Sequence, residues 1–184
     1  MNLTIINDMS WASFEAGSVD IILHDTADTE LGKVLIARSS RGVCAILIGD
    51  TADELAADLA DRFPRATLIA SQAAVQDDLT KVRRYIEAPA EGLHLALDMR
   101  GTPFQRRVWE KLRAISLGRT VSYRELSQVI SPYAHPRAVA NACAANPIAL
   151  AIPCHRVVRS NGDLAGYRWG LERKRILIQK EAMA

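Results

Sequence analysis

Three short apolar runs begin the pattern. Val19–Leu23, Lys33–Ala37 and Val43–Ile48 are rich in β-branched residues, and Asp28–Gly32 and Ser39–Gly42 separate them with turn-forming residues. That alternation predicts an antiparallel meander. Helical spacing then takes over. Thr51-Ala52-Asp53-Glu54 reads as a capping box that opens a helix through about Phe63, where Pro64 stops it. Apolar positions 75, 79, 82 and 86 fall on one side of a helix over 72–87. Leu93–Leu97 predicts one more short strand, with His94 at its surface.

Beyond Asp98 the pattern is helical with basic loops. Thr102-Pro103-Phe104-Gln105 combines an N-cap, a proline at the first helical position and a glutamine at the third. The helix it opens should run to about Ile115 and bury Val108, Trp109 and Leu112. Ser122-Tyr123-Arg124-Glu125 caps a short helix ending near Ile130, and Pro136 opens another through Asn146, for which Asn146 before Pro147 reads as the C-cap. Two short helices joined by a tight turn make a helix-turn-helix candidate. A last amphipathic helix spans Gly170–Ala182, with Leu171, Ile176, Leu177 and Ile178 apolar. The expected organisation is an α/β N-terminal domain over residues 1–98, a small antiparallel sheet plus helices, followed by a mainly helical domain over 99–184.

Composition narrows the function. With 184 residues and 49% hydrophobic content the chain can bury a real core, and 5% aromatic residues argue against a stacking-rich single-strand binder. No run approaches a membrane-spanning length, so no membrane partner is expected. Residues 1–17 lack a basic start followed by an apolar stretch, so no signal peptide is expected. Three cysteines, Cys44, Cys143 and Cys154, suit a reducing, cytoplasmic setting rather than a disulfide scaffold. No ligand spacing suggests a metal. The net charge of +2 conceals an asymmetry: residues 1–99 carry 8 Lys/Arg against 16 Asp/Glu, and residues 100–184 carry 15 against 5. Either the basic half meets a polyanion, or the two halves pair with each other.

Candidate chemistry centres on Pro153-Cys154-His155-Arg156-Val157. A thiol is a strong nucleophile once a base makes it a thiolate. On a regular strand neighbouring side chains point to opposite faces, so direct contact of Cys154 with His155 needs an irregular backbone or a bridging water. A buried cysteine beside an incidental histidine would look the same. Ala138, Ala140, Ala142, Ala144 and Ala145 give the second helix of the pair a smooth surface, suited to close approach to a nucleic acid or to packing on a neighbour. Arg137 lies in its first turn, where the helix dipole does not favour a cation.

These segments, with Arg100–Gln105, Val121-Ser122-Tyr123, Arg137-Ala138-Val139, Asn146-Pro147 and Gly166-Tyr167-Arg168-Trp169-Gly170, resemble the O6-alkylguanine-DNA alkyltransferase family. Within it the chain resembles most the C-terminal domain of the adaptive-response methyltransferases. The resemblance implies a ribonuclease-H-like N-terminal domain, a winged helix-turn-helix-type C-terminal domain, and a cytoplasmic monomer that needs no cofactor or metal. It implies repair of double-stranded DNA carrying O6-alkylguanine, extending to O4-alkylthymine, by irreversible transfer of the alkyl group to Cys154.

Roles follow by the same resemblance. His155 matches the base that activates Cys154 through a water, and Glu181 the acid that orients the imidazole. Asn146 matches a hinge asparagine. Tyr123 matches the donor that protonates the leaving purine. Arg137 matches the finger that fills the stack vacated by a flipped base, and Ala138 and Ala144 lie on the helix that enters the minor groove. The carbonyls of Cys154 and Val157 match those that read the exocyclic amine, and Tyr167 and Arg168 lie on the loop covering the base. Arg168 stands where other members have a small hydroxyl residue, so only its backbone N–H is carried over. Trp169 replaces a glycine of several relatives, and Ala149 a residue that can be proline; the indole should narrow the alkyl pocket. The zinc ligands of some animal members are not evident. The metal-binding N-terminal domain of the adaptive-response proteins is not in this chain, so transcriptional activation is not expected of it. Two other functions compete: a binder of alkylated bases without chemistry, which Cys154 argues against, and a cysteine hydrolase, which leaves the basic helix pair unexplained.

Overall fold

Residues 19–184 are described by a computed structural model. The absence of a leader was read from residues 1–17, which lie outside the described residues.

The three apolar runs pair as expected. β1 (Ile21–Thr29), β2 (Gly32–Ser39) and β3 (Gly42–Gly49) form antiparallel neighbours. Thr29 closes the first turn by donating its hydroxyl to the Gly32 carbonyl at 2.8 Å. Gly42 closes the second at φ 142°, and a Cβ there would meet the Ala96 carbonyl at 2.5 Å. α1 (Ala52–Arg62) then carries the chain across to β4 (Thr67–Ala70), which pairs parallel to β1. The sheet, ordered β3-β2-β1-β4, is therefore mixed rather than antiparallel. Four residues, Thr67-Leu68-Ile69-Ala70, display too little period to reveal such a strand. Thr51 accepts the Glu54 N–H as an N-cap. α2 (Gln72–Glu87) buries Val75, Leu79, Val82 and Ile86, and also Asp78 and Tyr85.

β3 is an edge strand, yet it is buried throughout except at Gly49. Two segments cover its edge. The Val43 N–H donates to Ala96 and the Asp98 N–H to Val43, both at 2.8 Å. Further along, the Ile46 N–H donates to Pro147 at 2.9 Å and the Ala149 N–H to Ile46 at 3.0 Å. Leu93–Leu97 thus contributes one bridge, Leu97 to Val43, and not a strand. The second segment leads directly into Pro153-Cys154-His155, so the sheet edge fixes where that turn sits.

The helical part follows its caps. Thr102 and Ser122 complete reciprocal capping boxes with Gln105 and Glu125 at the starts of α3 (Pro103–Arg113) and α4 (Tyr123–Ile130). α3 buries Val108, Trp109 and Leu112 as expected. The Trp109 indole donates to the Ala142 carbonyl at 2.8 Å, which ties α5 (Pro136–Ala144) to α3. β5 (Val121–Ser122) and β6 (Val157–Val158) form a two-residue parallel pair. α6 (Leu171–Ala182) buries Lys174, Leu177 and Glu181, whereas Leu171 is exposed and Ile176 and Ile178 are half-buried. Two charged residues on a buried stripe call for partners. Among the described residues no helix is long and apolar enough to cross a membrane.

Candidate active site

The turn between α5 and β6 is built around Asn146. Ala145, not Asn146, caps α5. Asn146 is instead fully buried. Its amide donates to the Ile152 carbonyl at 2.8 Å and to the Cys154 thiol at 3.3 Å, and its carbonyl accepts the Ile148 N–H at 2.9 Å. The turn it braces contains Leu150 at φ 68°, the single non-glycine residue with positive φ among the described residues. Such backbone costs of order 1–3 kcal/mol and persists where surrounding contacts over-determine it. Cys154–Arg156 then forms a 3₁₀ turn, the irregular backbone that adjacent cysteine and histidine require.

Cys154 borders a cavity of about 440 Å³ with Tyr123, Ala140, Asn141, Cys143, Ala144, Ala165, Gly166, Tyr167 and Arg168. Burial pushes its thiol up to about 11, against the Asn146 hydrogen bond and the positive charge of Lys174. It therefore rests as a thiol and needs a base to react. His155, fully buried, brings Nε2 to 2.6 Å from Glu181 Oε1. Burial lowers the basicity of the imidazole, which Glu181 raises and Arg156 and Lys174 lower. With a carboxylate at Nε2 the ring carries its proton there, leaving Nδ1 as an acceptor. Nδ1 is buried and meets no partner among the described residues.

Glu181 gathers donors. Arg156 Nε donates to Oε2 at 2.7 Å and Nη2 to Oε1 at 3.0 Å, and the Tyr85 hydroxyl donates to Oε1 at 2.7 Å. Burial alone would raise this carboxyl; hydrogen bonds from His155, Arg156 and Tyr85 bring it down to about 2. Lys174, also fully buried, donates to the carbonyls of Val157 at 2.6 Å and Ala165 at 3.1 Å. It links the turn carrying the thiol to the loop facing it. The Cys154 carbonyl accepts the Val157 N–H.

Tyr123 opens α4 half-buried, and its hydroxyl is pushed up to about 12 by burial and by Cys143 and Cys154. It stays protonated and able to donate. Tyr167 packs edge-on to His155, with ring centres 6.4 Å apart, and to Trp169 at 5.2 Å. Arg168 reaches sideways, where Nη2 donates to Asp58 Oδ1 at 2.6 Å. Trp169 does not border the Cys154 cavity. It is buried behind Tyr167 in a second cavity with Ile48, Gly49, Leu55 and Asp58. The indole meets the Cys154 cavity only at one remove, by its edge-on packing against Tyr167, which does line it.

α5 presents Arg137, Ala138, Asn141 and Ala144 to solvent, while Val139, Ala142 and Cys143 are buried. Arg137 donates its backbone N–H to Nδ1 of His135, the N-cap, at 3.1 Å. Among the described residues its guanidinium has no partner. Sequence reasoning missed Tyr85 and Lys174. The signal for Lys174 was its phase with Leu177 and Glu181 on α6; for Tyr85 it was a position three after Val82 on the buried stripe of α2.

Residues 103–183 match the family model described as 6-O-methylguanine DNA methyltransferase, DNA binding domain. The chain is 44% identical over 175 residues to the bifunctional transcriptional activator/DNA repair enzyme Ada of Escherichia coli, covering 95% of this chain and 49% of that protein. It thus spans about half the length of that relative. It is 34% identical to the methylated-DNA–protein-cysteine methyltransferase of Candida albicans, covering 88% of this chain and 97% of that protein. The crystal structure of Mycobacterium tuberculosis OGT in complex with DNA is similar at a TM-score of 0.73 and 30% identity, over 88% of this chain and 93% of that one.

Proposed function

The chain belongs to the methylated-DNA–protein-cysteine methyltransferase family, and we propose that it repairs DNA by taking an alkyl group from O6-alkylguanine onto Cys154. Double-stranded DNA is the partner, O4-alkylthymine a second substrate, and no cofactor takes part. The observation that carries the reading is the buried Cys154-His155-Glu181 arrangement at the wall of an open cavity, with Nε2 and Oε1 2.6 Å apart.

The thiol proton passes to His155 Nδ1 through a bridging water as sulfur attacks the alkyl carbon. The S–C bond forms while the C–O6 bond breaks, and its electron pair returns to the purine. Tyr123, held protonated, supplies a proton to that anion. Asn146 aims the thiol. The carbonyls of Cys154 and Val157 accept from the exocyclic amine, and Tyr167 and the Arg168 backbone cover the base. A thioether has no good leaving group, so each chain acts once. The base must leave the duplex to reach a buried thiol. Arg137 fills its place, and the small exposed side chains of α5, Ala138 and Ala144 among them, suit the narrow minor groove.

The finer architecture belongs to the same reading: a ribonuclease-H-like domain over 1–98 and a winged helix-turn-helix domain over 99–184, in a monomeric cytoplasmic protein. The packing of α4 on α5 and the β5–β6 pair beside them support it. The test is intact mass after mixing with O6-methylguanine duplex. One methyl per chain on Cys154, lost in Cys154→Ala without loss of DNA binding, is expected. Label on Cys44 or Cys143, or catalytic turnover, would overturn it.

A further inference from the structure

Tyr85 lies 69 positions before Cys154, on the buried face of α2, and borders no part of the Cys154 cavity. Its hydroxyl nevertheless stands 2.7 Å from Glu181 Oε1, the oxygen that His155 Nε2 approaches to 2.6 Å. Arg156 Nη2 lies 3.2 Å from the same hydroxyl. A guanidinium only donates, so the phenol oxygen accepts from Arg156 and the phenol proton points to Glu181. The carboxylate oxygen that orients the imidazole is thus shared among three donors, His155, Arg156 and Tyr85, of which Tyr85 alone comes from the sheet-bearing half of the chain.

We propose that Tyr85 is a positioning residue that tunes the base of the alkyl-transfer relay by withdrawing charge from Glu181 Oε1, so that His155 stays neutral and ready to accept a proton. The inference rests on the reading of Cys154 as the alkyl acceptor. Every hydrogen bond donated to a carboxylate leaves less negative charge to stabilise an imidazolium beside it. The charged and titratable groups facing His155 are Glu181 and Lys174 from α6, Arg156 and Cys154 from its own turn, and Tyr167 from the loop. Facing Glu181 are His155, Arg156 and Tyr85. Arg156 cannot lose its charge, which makes Tyr85 the neutral donor that sets the balance. Burial and Glu181 keep its phenol protonated.

Tyr85→Phe keeps the ring and removes the shared hydrogen bond. Glu181 then holds an imidazolium more strongly, and the acid limb of the rate against pH for methyl uptake by Cys154, at saturating DNA, moves to higher pH. At a pH on the limb the rate relative to its plateau falls about threefold to tenfold, the range expected for one hydrogen bond, while the plateau is held or rises. Resonances of the His155 ring titrate at correspondingly higher pH. Site-specific 3-fluorotyrosine at position 85 is a stronger donor of nearly the same size, and it moves both observables the opposite way even if Tyr85→Phe fails to fold. A limb and a ring titration that stay put or shift the wrong way overturn the proposal, as does a uniform fall in rate at every pH. If wild-type protein takes up no methyl on Cys154, the underlying reading fails instead.

Discussion

The two halves of this protein divide a single task unequally. Residues before 99 contain the four-stranded sheet and most of the acidic charge, and none of the described ones borders the Cys154 cavity. Every residue that does comes from 123 onward. Yet the acidic half grips the basic half from behind. Asp20 pairs with Arg100, Glu30 with Lys180, Asp50 with Arg173 and Asp58 with Arg168. Arg173 also donates to the carbonyls of Leu31 and Trp169, which binds the cavity loop to the β1–β2 turn. The charge asymmetry therefore has two uses. Cations facing the sheet region are paired there, while Arg137 on α5 points outward with no partner among the described residues.

The sharpest way to break the comparison is to remove the carboxylate on which both halves converge. Glu181→Gln leaves His155 without its orienting anion and Arg156 buried without a counter-ion. Transfer should fall by about 100-fold or more, and stability by about 3–5 kcal/mol. Single-turnover kinetics and urea unfolding measure both. The sign with pH is fixed. The folded value of Glu181 is lowered to about 2 from its ordinary 4.5, so its contribution is fully present above about pH 4.5 and lost as pH falls toward 2. Glu181→Gln should flatten that acid-side loss. A variant with wild-type acid sensitivity would show that Glu181 does not supply it.

Next in size is Arg137→Ala, which tests whether the outward face belongs to the basic half alone. Its exposure on α5 predicts at least tenfold slower transfer from duplex, little change with free O6-methylguanine, and unchanged melting. Equal losses on both substrates would instead place Arg137 in the pocket or the fold.

These effects rest on features that differ in how far the chain announces them. Strands β1 to β3 and the caps of α3 and α4 were legible because their signals are local: apolar runs between turns, and hydroxyls three residues before Gln105 and Glu125. Cys154 and His155 stood out as a pair for the same reason. β4 and the β5–β6 pair were too short to carry a period. The Tyr85–Glu181 contact spans 96 positions, and nothing local in α2 or α6 encodes it. Asn146 read as a cap because the residues alone cannot tell a helix end from a buried brace. Trp169 was read as facing the alkyl site; its packing beside Ile48 and Leu55 depends on β3 and α1 reaching that loop, which is a property of the assembled fold.

The smallest expected effect concerns the hold of the acidic half on the cavity loop. Asp58 Oδ1 accepts from Arg168 Nη2 at 2.6 Å and from Arg62 Nε at 3.2 Å. Arg168 is substantially exposed, so its pair contributes little to stability, about 0–1 kcal/mol. Arg62 is mostly buried and its Nη2 has no partner among the described residues, so losing Asp58 costs more there. Asp58→Asn should therefore lower stability by about 1 kcal/mol and slow transfer from duplex by roughly twofold to threefold, as the loop over the base loosens. Arg168→Ala should give the same kinetic loss with almost no change in stability, because it leaves Asp58 and Arg62 paired. Combining the two should slow transfer no further than either alone. Kinetic losses that simply multiply would mean that Asp58 and Arg168 act separately, and that the acidic half braces the fold without reaching the loop.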